Sequence, residues 1–184
     1  RAPYVLSKSE SAFGTDSKMF DSSFGWRFVN PAMGKMYGID AMGKTAENLA
    51  DQYNISREEQ DQFALHSQMK ATKAQESGRL AEEISDITIP QRKGDAIVIN
   101  KDEFIKPQST LEVLGKLRPA FVKDNGTVTA GNASGLNDGA AAVIIASDEA
   151  VKNYHLKPLA KIVSSAVVGV EPSIMGIGPV EATK

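Results

Sequence analysis

The residues best suited to chemistry lie between Gly131 and Gly139, in the run Gly-Asn-Ala-Ser-Gly-Leu-Asn-Asp-Gly. Gly131, Gly135 and Gly139 recur every four residues with Asn132, Ala133 and Ser134 between the first two, a composition that permits positive φ and close approach of backbone to a ligand or a neighbouring segment. Residue types alone leave two readings open, a structural turn and a ligand site lined by main-chain groups. The run is neither a dinucleotide fingerprint nor a phosphate loop, because it contains no G-x-G-x-x-G and no Gly-Lys-Ser/Thr. A second feature is charge. From Gln91 to Lys123, Arg92, Lys93, Lys101, Lys106, Lys116, Arg118 and Lys123 outnumber Asp95, Asp102, Glu103 and Glu112, giving a local +3 in a chain whose remainder carries −5. This stretch suits a small anion or is a solvated face; a nucleic acid would need a wider basic stripe.

Absent residue types narrow the chemistry further. The net charge of −2 provides no general field for polyanions. With no cysteine the chain holds no disulfide, thiolate zinc site or thiol nucleophile, and with two histidines it offers little to a metal. No carboxylate pair, Ser/His/Asp arrangement or metal-ligand spacing is present, so no catalytic or metal residue is assigned. His66 is expected on the solvent side of a helix, and His155 at a helix end or the surface. No apolar run approaches the ~18 residues needed to span a bilayer. The 184 residues, 41% hydrophobic and 24% charged, suffice for a sizeable core. Gly178 to Lys184 reads as a helix just begun, with Pro179 and Glu181 in its first turn, so the expectation is an internal piece of a longer protein.

The elements that would position these residues follow from periodicity. Residues 1–40 are irregular, with apolar anchors Met19, Phe20, Phe24, Trp26, Phe28, Val29, Met33, Met36 and Tyr37. Ala46, Leu49, Ala50 and Tyr53 predict a helix over 44–53, closed by Asn54 in a left-handed conformation. Ser56-Arg57-Glu58-Glu59 is a capping box opening a helix over 57–77, with Phe63, Ala64, Ala71 and Ala74 as its inward stripe and Gly78 as its stop. Alternation predicts strands at 84–89 and 97–99 around a turn at 91–95. Leu111, Leu114 and Leu117 are expected to point inward. Strands are expected at 127–130, 140–146 and 159–170, with a helix at 148–154, which makes the region after 126 an α/β unit following an α+β segment.

The segment from Gly126 to Ala142, Gly-Thr-Val-Thr-Ala-Gly-Asn-Ala-Ser-Gly-Leu-Asn-Asp-Gly-Ala-Ala-Ala, resembles the thiolase family. So do Met42-Gly-Lys-Thr-Ala-Glu-Asn-Leu-Ala50, Ser56-Arg-Glu-Glu-Gln-Asp61, Lys116-Leu-Arg-Pro-Ala-Phe121 and Gly169-Val-Glu-Pro-Ser-Ile-Met-Gly-Ile-Gly-Pro179, in family order across essentially the whole chain. The resemblance implies an α/β fold, the layered α/β/α thiolase fold with an inserted α+β loop domain. Residues 1–125 would be mostly that loop domain, 126–157 the end of the N-terminal half and 158–184 the start of the C-terminal half.

The activity implied is acyl transfer between acyl-CoA and coenzyme A, by thiolytic cleavage or Claisen condensation of 3-oxoacyl-CoA through an acylated cysteine. Such chemistry needs a thiolate, both as nucleophile and as the carrier of a reactive thioester. Those cysteines and their histidine are absent here, so this chain alone is expected to be inactive and to supply mainly the coenzyme A side. By motif position, Ser134 would contact the pantetheine arm with Ala130 and Gly135 as backbone neighbours, and Phe121 would flank the coenzyme. Lys106 would stand where many relatives carry Arg against the adenine, keeping charge but losing planar stacking. Met42 and Met175 would shape the acyl end. The resemblance implies coenzyme A and acyl-CoA as substrates, no permanently bound cofactor, a homo-oligomer, dimer or tetramer, and a cytoplasmic setting. Ala41 before Met42-Gly43, with Gly25-Trp-Arg-Phe-Val-Asn-Pro31 and Met36-Tyr-Gly-Ile-Asp40, looks more like the degradative branch, 3-oxoadipyl-CoA thiolases of aromatic catabolism in particular. The alternative is a non-catalytic thiolase-like module for acyl-CoA or lipid binding or for oligomerisation.

Overall fold

The computed structural model describes residues 3–22 and 25–184; the anchor Phe24 lies outside the described residues. Two short antiparallel strand pairs form, one before the first helix and one after the third. In the first, β1 (Tyr4–Leu6) pairs with β2 (Met19–Asp21), Val5 opposite Phe20. In the second, β3 (Ile87–Ile89) pairs with β4 (Ile97–Ile99), Thr88 opposite Val98, across the expected turn. The helices are α1 (Pro31–Tyr37), α2 (Met42–Tyr53), α3 (Arg57–Glu76), α4 (Leu111–Gly115), α5 (Asp148–Asn153) and α6 (Gly178–Thr183). Short 3₁₀ turns occupy Leu80–Glu82 and Pro172–Ile177. Among the described residues no helix is long and apolar enough to cross a membrane.

Local signals set most helix ends. Asn54 closes α2 in the left-handed region at φ 54°, where its short amide side chain is tolerated. Ser56 starts α3: its Oγ accepts from Glu59 N at 3.1 Å while Glu59 Oε2 accepts from Ser56 N at 2.8 Å. These bonds hold the Glu59 carboxyl below its ordinary pKa, the bond from the Ser56 backbone first and that from its hydroxyl second. Asn30, Thr110 and Ser147 cap α1, α4 and α5 in the same way. α2 packs on the Pro172–Ile177 turn, where Asn48 Nδ2 donates to Ser173 O at 2.9 Å and Gly176 leaves room for Leu49.

The buried centre lies where α2, α3 and α4 meet residues 126–132, and much of it is polar. Ala50, Leu114 and Val128 are buried there together with Thr45, Glu47, Asp61 and Thr129. Gly126 has no room for a side chain, because a Cβ would strike the Val122 carbonyl oxygen.

Several expectations fail here. No strand forms at 127–130, 140–146 or 159–170, and the first expected strand shortens from 84–89 to β3. A continuous apolar run specifies a strand only if neighbouring strands cover it and bond its backbone. Among the described residues the ladders are β1 with β2 and β3 with β4, so Ile144 and Val163 stand 90% and 88% exposed. Phe63, assigned to the inward stripe of α3, is 78% exposed, and Leu111 faces outward while Leu114 is buried and Leu117 half-buried. Ala64, Ala71 and Ala74 of that stripe are half-buried as expected, and the same covered face also carries the polar Arg57, Asp61 and Gln68.

Candidate functional site

Three walls line an open surface cavity of about 220 Å³: Gln68 from α3, residues 104–114 leading into α4, and the turn carrying Ala130, Gly131 and Ala133. Each wall is tied to buried polar side chains. On α2, Glu47 Oε1 accepts from Thr127 N at 3.0 Å and Val128 N at 2.9 Å, while Oε2 accepts from Thr127 N at 2.9 Å and Thr127 Oγ1 at 2.8 Å. A buried carboxylate thus does for residues 127–128 what a sheet neighbour would do, satisfying backbone donors.

On α3, Arg57 Nε pairs with Asp61 Oδ2 at 2.8 Å, and Arg57 NH2 donates to the carbonyls of Leu114 at 2.6 Å and Leu117 at 3.2 Å. Asp61 Oδ1 in turn accepts from Asn132 Nδ2 at 2.9 Å. Asn132 also donates to Thr127 O at 2.9 Å and accepts from Thr129 N at 2.7 Å, and the Thr129 hydroxyl accepts from Gly131 N at 3.1 Å and Asn132 N at 3.3 Å. The turn at 129–132 is therefore closed by its own side chains and anchored to α3 through one carboxylate.

The basic wall is ordered as well. Lys106 N donates to Gln68 Oε1 at 2.8 Å, and Lys106 O accepts from Ser109 N at 3.1 Å and Ser109 Oγ at 2.8 Å. The Lys106 ammonium stands 5.5 Å from the centroid of the Phe104 ring. That ring lies against Gly135, whose added Cβ would come within 2.5 Å of Phe104 Cζ. Chemically the cavity offers a cation at an aromatic face, small-residue backbone opposite, and an apolar floor of Val113 and Leu114. A pocket of this size and lining can receive a small anionic or aromatic group. A larger, more polar recess of about 480 Å³ lies along α2 beside Asp51, Asn54 and Asp124, away from the residues singled out in the sequence. Among the described residues no group of three or more His, Cys, Asp or Glu could hold a metal ion.

Of the residues singled out by motif, the structure brings Lys106 and Ala130 into this cavity and places Gly135 behind Phe104. Ser134 follows the turn, exposed, outside the cavity lining. Phe121, Met42 and Met175 gather elsewhere: the Phe121 ring packs directly on Gly43, Met42 opens α2, and Met175 lies in the 3₁₀ turn against that helix. Sequence reasoning missed Gln68, Phe104, Val113 and the Glu47 and Asp61 anchors. The available signal was polar spacing, since Arg57, Asp61 and Gln68 fall at separations of four and seven residues, close to one and two helical turns.

A cationic cavity walled by a glycine-rich turn on this helical scaffold defines a class: the chain belongs to the thiolase family, and residues 17–149 match the thiolase N-terminal domain. Among its relatives, a beta-ketoadipyl-CoA thiolase of Acinetobacter baylyi is 57% identical over all 184 residues, which cover 46% of that protein. A 3-oxoadipyl-CoA/3-oxo-5,6-dehydrosuberyl-CoA thiolase of Escherichia coli is 52% identical over the same span, again 46% of the relative. The human mitochondrial 3-ketoacyl-CoA thiolase structure superposes with a TM-score of 0.82 at 44% identity, covering 99% of this chain and 45% of that one. The fold is therefore that of a thiolase segment, and the chain spans about half the length of the relatives it matches.

Proposed function

We propose that the polypeptide carrying this chain is a β-ketothiolase that transfers an acyl group between 3-oxoacyl-CoA and coenzyme A, with 3-oxoadipyl-CoA as its substrate, and that this chain supplies mainly the coenzyme A side. The observation that carries the reading is the cavity in which Lys106, over the Phe104 ring, faces Ala130 and Gly131. A phosphate-bearing nucleotide thioester matches that pairing of cation, aromatic face and small-residue backbone. The names of the relatives at 52–57% identity support the substrate.

Within this reading, residues 1–125 are mostly loop domain, 126–157 complete the first α/β half and 158–184 open the second. The exposed apolar runs at 140–146 and 159–170 become sheet strands once the rest of the polypeptide covers them, and the enzyme works as a homo-oligomer. Phe121 flanks the coenzyme, Met42 and Met175 serve the acyl end of the substrate, and Ser134 the pantetheine arm. The acyl-carrying thiol is not among these 184 residues, which contain no cysteine. Thiolysis of 3-oxoadipyl-CoA and acetoacetyl-CoA by the intact polypeptide tests the proposal. The expected result is a higher kcat/KM for 3-oxoadipyl-CoA, with no turnover of either by the 184-residue chain alone. Equal or reversed preference overturns the substrate assignment, and turnover by the short chain overturns the division of labour.

A further inference from the structure

One face of α3 forms one wall of the cavity and holds the other two. Arg57, Asp61 and Gln68 lie about one and then two turns apart, so their side chains leave the helix on the same side. Arg57 fixes the carbonyls at the end of α4, Asp61 fixes the 127–132 turn through Asn132, and Gln68 reaches the backbone of Lys106, 38 residues away in sequence. The first two contacts serve the main-chain scaffold. Gln68 alone of the three borders the cavity, and its partner is the residue that brings charge to it.

We infer that Gln68 is a positioning residue for ligand recognition, acting through Lys106. The Lys106 peptide is held from both sides, its N–H by Gln68 Oε1 and its carbonyl by the Ser109 amide and hydroxyl, with Pro107 limiting rotation between them. With both peptide groups fixed, the lysine stem starts from one place and the ammonium stays over the Phe104 ring. Without the Gln68 acceptor, the Lys106 N–H turns to solvent and the 104–109 segment gains freedom that ligand binding must then remove. The loss falls on ground-state binding of the charged end of the ligand and leaves chemistry at the distant thioester untouched. This rests on the proposed coenzyme A reading, since it takes the nucleotide half to be the part that Lys106 meets.

The test uses the intact polypeptide and compares Gln68→Met, Lys106→Met and the double variant, each assayed with acetoacetyl-CoA and with acetoacetyl-pantetheine, which lacks the nucleotide. Gln68→Met keeps side-chain volume and removes the acceptor; Gln68→Glu keeps an acceptor oxygen. For Lys106→Met, KM for the CoA thioester is expected to rise about tenfold, as for one lost charge-assisted contact. Gln68→Met is expected to raise it about three- to tenfold with kcat within twofold, and the double variant to be no worse than Lys106→Met, because Gln68 acts through that side chain. Gln68→Glu keeps the acceptor but sets a negative charge on the cavity lining, so it is expected to raise KM for the CoA thioester through repulsion that added salt relieves, while KM for the pantetheine thioester stays unchanged throughout. If Lys106→Met raises KM and Gln68→Met does not, or if the two effects multiply in the double variant, the positioning role is wrong while the coenzyme A reading stands. If Gln68→Met and Gln68→Glu both impair the two thioesters equally or lower kcat, Gln68 is only structural and the inference falls. If Lys106→Met leaves KM for the CoA thioester unchanged, the coenzyme A reading itself fails.

Discussion

Replacing Glu47 by Gln changes one buried atom and tests whether a carboxylate holds the 127–128 backbone. In the native arrangement both oxygens face donors: Oε1 meets the amides of Thr127 and Val128, and Oε2 meets the Thr127 amide at 2.9 Å and its hydroxyl at 2.8 Å. A glutamine can keep Oε1 in place, but its amide nitrogen then points N–H groups at the Thr127 N–H. The hydroxyl can rotate and accept, so the net loss is one charge-assisted backbone bond and the ionic assistance of the others. Hydrogen bonds to charged groups contribute about 1.5–3 kcal/mol each, and a donor left facing a donor adds its own desolvation cost, which gives a total of about 2–4 kcal/mol. Hydrogen exchange on the intact polypeptide, followed by peptide-level or NMR detection across 126–132, reads the effect where it occurs. If this segment opens as a local unit, exchange at Thr127 and Val128 accelerates about 30- to 1,000-fold in Glu47→Gln, at one decade per about 1.4 kcal/mol. Helix α5, far along the chain and capped by Ser147, should keep its protection. Exchange at Thr127 and Val128 unchanged within threefold would refute the argument that Glu47 substitutes for a sheet neighbour.

Two further outcomes are expected. Gly135→Ala places a Cβ 2.5 Å from the tip of the Phe104 ring, which is partly exposed and free to swing, so the substitution costs under about 1 kcal/mol in stability. It moves the aromatic face away from Lys106 and should weaken coenzyme A binding about three- to tenfold by calorimetry, an effect absent if the ring plays no part in the ligand site. Ser56→Ala removes the hydroxyl half of the α3 capping box. Because Glu59 titrates below its ordinary value of 4.5 in the folded chain, its contribution is present above that value and is lost as pH falls through the lowered one. Urea midpoints compared at pH 7 and pH 3 should therefore show Ser56→Ala less stable at pH 7, with the gap narrowing at pH 3; a gap constant with pH would show that Glu59 is not involved.

What was legible in the sequence was local. The capping box at Ser56, the left-handed Asn54, the turn at 91–95 and the proline-started final helix each depend on atoms within a few residues, so spacing alone placed α2, α3, β4 and α6 closely, while β3 is shorter than the strand expected at 84–89. Motif order carried the family, because the run from Gly126 to Ala142 is distinctive in composition as well as length. The same local logic failed at 140–146 and 159–170, where apolar runs ask for strand neighbours and do not contain them. It also failed at Phe63, which was assigned to the inside of α3 and sits outside, because the covered face runs through Arg57, Asp61, Ala64, Gln68 and Ala71 instead.

The sequence by itself thus determined α2, α3, α5 and α6, the capping box at Ser56 and the family, whereas α1 lies in a stretch whose spacing read as irregular. Only the tertiary structure decided which polar groups are buried. A carboxylate such as Glu47 or Asp61 looks like ordinary helix surface until its partners, 80 and 71 residues away, come into contact with it. Removing such a charge from water is unfavourable without donors placed to meet it, so its role exists only where folding has assembled those donors. For the same reason the cavity, unlike the motif that forms one of its walls, could not be read from the chain: Lys106 and Ala130 come to line one cavity through Gln68 and Asn132, and those contacts are made by packing.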